Sequence, residues 1–333
     1  MALKIAINGF GRIGRSVTRV ASMRNDVEIV AINDMIDIDM IIYLFKYDSV
    51  HGSFAKEIFK VDENSISIDG HVVKIFNESD PKNIDFASCG ADVVIECTGV
   101  FLTQAYSQTH IDKGVAKVLL SAPAQDDKTA TFVMGVNEHL YNGQNIISNA
   151  SCTTNCLAPI AKTIDDAFGI EKGLMTTIHS YTNDQNLLDV KHTREMRRSR
   201  AAAVNMIPTT TGAAKAIDLV LPQLTGKLHG RSVRVPTPDV SMMDLNVVVS
   251  KKTSAQEVKE LLDNKAQSSL KNIMLIDKDM RVSQDFVGCS YSCIIAEDLT
   301  QVIGDDMIKI MAWYDNEWGY SNRLVEMALY INK

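Results

Sequence analysis

From its first residues the chain alternates short apolar runs with stretches of helical spacing. Residues 4–8 and 28–33 are apolar and strand-like, while 12–23 and 38–46 space their apolar positions as a helix does. Residues 92–97, 117–121, 131–134 and 145–148 read as further short strands. Helices lying between such strands predict parallel βαβ units and hence a doubly wound sheet. Residues 66–76 break the rhythm. Asp69-Gly70 sits in their middle, and that dipeptide favours the two-residue turn of a hairpin.

After about residue 150 the pattern changes. Met175, Thr177, His179 and Tyr181 alternate with Leu174, Thr176, Ile178 and Ser180, the period of a long half-buried strand. Residues 244–250 and 307–314 repeat that pattern, which predicts an antiparallel sheet with helices on one face. Residues 182–200 are polar, basic and without apolar period, and loops of that length are usually functional. Residues 319–332 form an amphipathic helix.

Composition narrows the class. The chain has 333 residues, 46% hydrophobic and 23% charged, which fits an ordinary globular protein of two domains. A net charge of −7 argues against a nucleic-acid binder. No apolar run approaches the ~18 residues of a membrane span. The N-terminus lacks the long apolar core of a signal peptide, and six scattered cysteines do not suggest a disulfide scaffold. A reducing, cytoplasmic location is expected.

Gly9-Phe10-Gly11-Arg12-Ile13-Gly14 matches G-x-G-x-x-G. The match alone is weak, but it follows a predicted strand, opens a predicted helix, and precedes Asp34 at the end of the next strand. Gly9 permits the tight turn, Gly11 the approach of a pyrophosphate, and Gly14 close packing of the helix. Asp34 would bond the ribose hydroxyls and repel a 2′-phosphate, which favours NAD. The fold class expected is α/β. A doubly wound (Rossmann) dinucleotide-binding domain over residues 1–150 precedes an α+β catalytic domain, with a mostly antiparallel sheet, over 151–318. The helix of residues 319–333 packs back on the first domain.

Cys152, in Ser148-Asn149-Ala150-Ser151-Cys152-Thr153-Thr154-Asn155-Cys156, stands before an apolar helical face formed by Leu157, Ile160, Ala161, Ile164 and Phe168. A thiol at a helix start meets unpaired N–H groups and the positive end of the dipole, both of which favour thiolate. Pro159 should kink or reset an early turn of that helix. Of seven histidines, His179 is the best partner, late on its strand and just before the polar loop; from spacing alone it is equally well a packed histidine. Cys152-x3-Cys156 lacks a second ligand pair at zinc spacing, so no metal is expected.

With these motifs, and with Trp313-Tyr314-Asp315-Asn316-Glu317-Trp318-Gly319-Tyr320-Ser321, the chain resembles phosphorylating glyceraldehyde-3-phosphate dehydrogenases over essentially its whole length. Lys46-Tyr47-Asp48-Ser49-Val50-His51-Gly52, Pro208-Thr209-Thr210-Thr211-Gly212-Ala213 and Arg234-Val235-Pro236-Thr237-Pro238 belong to the same resemblance. It implies that Cys152 attacks the aldehyde of glyceraldehyde 3-phosphate, and that His179 activates the thiol and takes the hemiacetal proton. It implies hydride transfer to the nicotinamide and attack of inorganic phosphate on the resulting thioester. It places Arg12, Ile13, Asp34, Thr98 and Ser121 on the cofactor, and Asn316 on its carboxamide. Thr182 and Arg234 would take the substrate phosphate; Ser151, Thr153, Thr211 and Gly212 would take inorganic phosphate, with Arg198 close to both. A homotetramer is also implied.

Two positions depart from the family pattern. Val190-Lys191 stands where NAD-specific members carry Leu-Pro, in a loop one residue longer than usual, and a lysine there could tolerate a 2′-phosphate. Asp34 opposes that by repulsion, so NAD is expected with NADP as a possible second cofactor. Ser79 replaces a frequent arginine near the adenine and should tune affinity alone. The alternative on this scaffold is erythrose-4-phosphate dehydrogenase, which releases its acid to water; Ser151, Thr153, Thr211 and Gly212 favour phosphate as acceptor. A cofactor-binding redox sensor or surface protein without turnover is disfavoured by the intact Cys152, His179, Arg234 and Asn316.

Overall fold

The computed structural model describes residues 2–193 and 195–333. The chain divides into two compact units, one of Met1–Phe132, His139–Ala150 and Ser321–Lys333, the other of Val133–Glu138 and Ser151–Tyr320.

The first unit is built on a sheet of β1 (Leu3–Asn8), β2 (Val27–Asn33), β3 (Ile58–Asp62), β4 (Ser65–Ile68), β5 (His71–Phe76), β6 (Val93–Glu96), β7 (Lys117–Leu120), β8 (Ala130–Thr131) and β9 (Ile146–Ser148). Their order is β3-β4-β5-β2-β1-β6-β7-β9-β8. β1 is central and parallel to both β2 and β6, so the chain reverses its winding there. Such a switch point leaves a crevice at the carboxyl ends of the strands. The middles of the central strands are apolar because both faces are covered there, and Ile5, Ala6 and Ile7 are wholly buried. Helices α1 (Arg12–Ser22), α2 (Ile38–Lys46) and α3 (Gln104–Asp112) complete the crossovers. β4 and β5 form the expected hairpin, with Ile68 opposite His71. Asp69 and Gly70 both adopt positive φ, 53° and 83°, as a type I′ turn requires.

In the second unit α4 (Cys152–Phe168) leads into β10 (Ile170–Ser180), then β11 (Ile207–Thr209), α5 (Ala213–Val220), β12 (Leu228–Val235), β13 (Ser241–Val249), α6 (Ala255–Gln267), β14 (Met274–Asp277), β15 (Cys293–Ala296), β16 (Gln301–Ile303) and β17 (Met307–Tyr314). The sheet runs β11-β12-β10-β13-β17-β15-β14, with β16 beside β17. Only β10–β12 and β14–β15 are parallel; the other pairs are antiparallel. On β13 the alternate residues Met243, Leu245, Val247 and Val249 are buried, and α4 packs on β13, β15 and β17. The last helix, α7 (Trp318–Ile331), belongs to the first unit from Ser321 onward. Tyr141 secures it there by donating to the Ile331 carbonyl at 3.2 Å.

Three expectations need correction. The strand over residues 131–134 stops at Thr131, because the Asn137 side chain accepts from the Val133 N–H at 2.8 Å and turns the backbone. α4 continues without a break through Pro159, so the proline does not reset the helix there. α3 was not expected at all; it has little amphipathic character and is started by Thr103, whose hydroxyl accepts from the Tyr106 N–H.

Candidate active site

The fingerprint glycines behave as three different parts. A Cβ on Gly9, which has φ +94°, would lie 2.6 Å from the Thr98 nitrogen. A Cβ on Gly14 would lie 2.2 Å from the Gly9 carbonyl oxygen, so α1 can rest on the turn only without a side chain. A Cβ on Gly11 would meet nothing within 4 Å. Gly11 is also the N-cap of α1, and no side chain caps that helix start. The first-turn N–H groups of a helix lack partners within it and attract anions. An open approach, donors and a helix dipole together fit a pyrophosphate. Phe10 lies in the turn, and its N–H donates to Asp34 Oδ2 at 2.6 Å. The Ile36 N–H donates to Asp34 Oδ1 at 3.2 Å, so the carboxylate is oriented by backbone on both sides.

Below the turn lies a buried polar chain. Thr98 donates to Glu96 through both its N–H, at 2.7 Å, and its hydroxyl. Asn8 Nδ2 donates to Glu96 Oε2 at 2.6 Å, and Asn33 Nδ2 to Asn8 Oδ1 at 2.8 Å. Burial pushes the Glu96 carboxyl up to about 7, against the pull of the hydrogen bonds from Thr98 and Asn8. The Ser121 N–H donates to the Glu96 carbonyl at 3.0 Å. Arg12, the first residue of α1, is ion-paired with Asp48.

In the second unit Ser151 caps α4, its hydroxyl accepting from the Thr154 N–H at 3.1 Å. Cys152 is therefore the first helical residue. The preceding Ala150 enters at φ +56°, a conformation costing a non-glycine residue roughly 1–2 kcal/mol. The Cys152 sulfur lies 3.7 Å from His179 Nε2. His179 is thus both buried and within hydrogen-bond reach of the thiol. On the other side of its ring, His179 Nδ1 lies 2.7 Å from the Ser180 carbonyl oxygen and 2.8 Å from Arg234 Nη1, which also donates to that carbonyl at 2.9 Å. Register explains the meeting: His179 and Arg234 are direct neighbours on the parallel pair β10–β12.

Burial pushes the Cys152 thiol up, opposed by the Arg234 charge and by Thr153. Burial also pulls His179 down to about 3, with Arg234 adding to it. Both directions favour an uncharged pair.

Thr182 and Arg198 converge on Asp184. The Thr182 hydroxyl donates to Asp184 Oδ1, and Arg198 Nη1 to Asp184 Oδ2 at 2.6 Å. Arg198 also donates through Nε to Thr209 Oγ1 at 2.8 Å and through Nη2 to the Thr210 carbonyl at 3.3 Å. It thereby sits beside Thr211 and Gly212, which begin α5: Gly212 is its N-cap, and Thr211 Oγ1 accepts from the Ala213 N–H at 3.2 Å. Burial would raise the Asp184 carboxyl, but Thr182, Arg234 and Arg198 hold it below its ordinary range.

Residues 3–104 match the family glyceraldehyde 3-phosphate dehydrogenase, NAD binding domain, and residues 151–316 match its C-terminal domain. The chain belongs to the glyceraldehyde-3-phosphate dehydrogenase family. Relatives include glyceraldehyde-3-phosphate dehydrogenase 1 of Bacillus subtilis (strain 168), 48% identical over 100% of this chain and 99% of the relative. The glyceraldehyde-3-phosphate dehydrogenase of Priestia megaterium is 49% identical over 99% of this chain and 98% of its own. A chloroplastic glyceraldehyde-3-phosphate dehydrogenase A of Zea mays is 51% identical over 98% and 81%.

Within this family site, several residues had no role assigned from sequence. The buried Tyr314 phenol is 2.9 Å from Thr153 Oγ1 and 2.7 Å from Thr177 Oγ1, and its ring meets the His179 ring edge-on at 6.0 Å between centroids. Asp184 holds Arg198 by its Oδ2, and Glu195 adds a longer ion pair to the same guanidinium. Tyr314 and Asp184 lie inside recognisable motifs, yet their roles depend on contacts between distant segments. Val190 and Lys191, the departing pair, are exposed, with the Val190 N–H donating to the Ser199 carbonyl at 2.9 Å.

Proposed function

We propose that this chain oxidises D-glyceraldehyde 3-phosphate to 1,3-bisphosphoglycerate, with NAD as oxidant and inorganic phosphate as acyl acceptor. The observation that carries the reading is the Cys152 sulfur at 3.7 Å from His179 Nε2, with Arg234 on the far side of the ring. The Cys152 proton passes to His179 Nε2 as sulfur bonds to the aldehyde carbon, and Nε2 returns it to the alkoxide oxygen, giving the thiohemiacetal hydroxyl. His179 Nε2 then takes the proton of the thiohemiacetal hydroxyl. NAD, when bound, accepts the hydride that leaves this carbon, and a thioester remains on Cys152. Attack of inorganic phosphate breaks the carbon–sulfur bond and returns the thiolate. The thioester retains the energy of the oxidation, which is what makes an acyl phosphate accessible.

Arg234 and Thr182 bind the substrate phosphate in this reading. Ser151, Thr153, Thr211 and Gly212 bind inorganic phosphate, with Arg198 serving both. Arginine suits phosphate through its rigid donor fork. Asn316 takes the cofactor carboxamide, and Gly9 to Gly14, Asp34, Thr98 and Ser121 hold the rest. The enzyme works in the cytoplasm as a homotetramer. No described helix is long and apolar enough to cross a membrane.

Omitting inorganic phosphate tests the chemistry. Turnover should fall to the slow hydrolysis of the thioester. Undiminished acid production would instead identify a non-phosphorylating dehydrogenase, as for erythrose 4-phosphate. Steady-state kinetics with NAD and NADP in parallel should favour NAD; equal specificity constants would give Lys191 the upper hand over Asp34.

A further inference from the structure

Three strand ends meet around one side-chain amide. Ser180 closes β10, Ser241 opens β13, and Asn316 lies just beyond β17, whose Tyr314 pairs with Ser241. Asn316 is buried. Its Oδ1 accepts from Ser180 Oγ at 2.8 Å and from Ser241 Oγ at 2.7 Å. The Ser241 oxygen already accepts from the Ser180 backbone N–H at 3.1 Å, which leaves its hydrogen for Asn316. An amide oxygen has two lone pairs, so Oδ1 is saturated. Asn316 Nδ2 has no hydrogen bond among the described residues, so both its hydrogens remain to be given.

The backbone around the amide is pinned as well. Asp315 Oδ1 accepts from the N–H groups of Glu317 at 2.9 Å and Trp318 at 2.6 Å, and its Oδ2 from that of Gly288 at 2.8 Å. Turning the amide over would face its N–H groups toward two hydroxyls and leave both hydroxyl hydrogens without an acceptor. Its N–H groups could still donate to the hydroxyl oxygens, but each buried hydroxyl hydrogen left without an acceptor disfavours the turned amide by about fivefold or more, so two of them favour the observed orientation by roughly thirtyfold.

We propose that Ser180 and Ser241 are positioning residues that lock the Asn316 amide with its oxygen inward, so that it offers the cofactor donors only and selects a carbonyl acceptor on the nicotinamide. The proposal rests on the reading of Asn316 as the carboxamide partner. The lock has a simple purpose. A free amide would present donor or acceptor equally, and a carboxamide could then bind in two orientations of its ring.

The test compares affinities of the whole enzyme for NAD and for ADP-ribose, which lacks only the nicotinamide, by calorimetry. Ser180→Ala with Ser241→Ala frees the amide to point either way, which halves the competent population, so it should weaken NAD about twofold and leave ADP-ribose unchanged. Ser180→Ala alone keeps the backbone bond to Ser241 and one hydroxyl on the amide oxygen, so it guards against misfolding of the double variant; it should change NAD affinity by less than about 1.3-fold, and a loss as large as the double variant's would overturn the lock. Equal weakening of both ligands would mean a merely structural role and overturn the proposal. Unchanged NAD affinity in the double variant, with Asn316→Ala still weakening NAD, would overturn the lock while sparing the reading of Asn316. If Asn316→Ala leaves NAD affinity intact, that reading falls and the lock falls with it.

Discussion

Gly11 and Gly14 stand three residues apart in one motif, yet alanine at each should fail differently. At Gly14 the new Cβ would lie 2.2 Å from the Gly9 carbonyl oxygen and 3.1 Å from Ile7 Cγ2. A normal contact needs more than an ångström of extra room, and both neighbours belong to the strand and turn beneath α1. Overpacking of this kind costs roughly 1–3 kcal/mol, so Gly14→Ala should unfold at visibly lower denaturant with or without cofactor. At Gly11 the Cβ would meet nothing within 4 Å, and φ of −70° suits alanine. The unfolded chain loses freedom, a gain of about 0.4–1 kcal/mol, while alanine is a poorer N-cap than glycine by a similar amount. The free protein should therefore be unchanged to within about 0.5 kcal/mol. The methyl group would nevertheless occupy the approach to the helix start. Losing even one charge-assisted hydrogen bond to a phosphate costs about 1.5–3 kcal/mol, or ten- to a hundredfold in NAD dissociation constant. Urea unfolding of the apo protein, paired with tryptophan quenching by NAD, measures both quantities. Wild-type NAD affinity in Gly11→Ala would refute the placement of the pyrophosphate at this turn. So would a Gly11→Ala apo protein as unstable as Gly14→Ala.

Three other outcomes follow from the geometry. Cys152→Ser should cut steady-state turnover roughly 10⁴-fold or more while NAD titration still gives the wild-type affinity; retained turnover would dismiss the thiol as nucleophile. Ser151→Ala removes the acceptor of the Thr154 N–H and should cost about 1 kcal/mol in urea unfolding, with no change meaning the cap contributes nothing to α4. Burial raises Glu96 from 4.5 to about 7, so the folded state binds this proton more tightly than the unfolded chain does. Stability from this group is fully present below pH 4.5 and declines until about pH 7, by at most ~3 kcal/mol. The stability difference between wild type and Glu96→Gln should drift across that window, and parallel pH profiles for the two would contradict the assignment.

The cofactor unit was legible because its signals are local. A glycine turn, its flanking strand and helix, and the Asp69-Gly70 hairpin each lie within a dozen residues, and the central strands announce their burial by continuous apolar runs. α3 escaped because its sequence has little amphipathic contrast, and its only clear start signal is Thr103. The thiol's position at a helix start could also be read directly. Its ionisation could not, since desolvation is set by the whole surrounding core. His179 was an even choice from spacing and became a partner only through the fold. The meeting of Ser180, Ser241 and Asn316 joins residues 61 and 136 positions apart, and no local pattern encodes which strand ends coincide.

The parallel pairing of β10 with β12 also governs the order in which the site can be completed during folding. Parallel neighbours cannot be joined by a tight turn, so the chain must leave Ser180, travel from Tyr181 to Lys227, and return before Arg234 can reach His179. Closing a loop of that length carries an entropic charge of about 3 kcal/mol that a hairpin largely escapes. α4, by contrast, closes its hydrogen bonds within its own sequence, although its apolar face is covered only once β13, β15 and β17 are in place. The helix that carries the cysteine can therefore start to form before the imidazole has its guanidinium neighbour. Contacts of long sequence separation close slowly, so full reactivity of the thiol is a late property of the chain, and the rate at which it appears during refolding reports the closure of β10 onto β12.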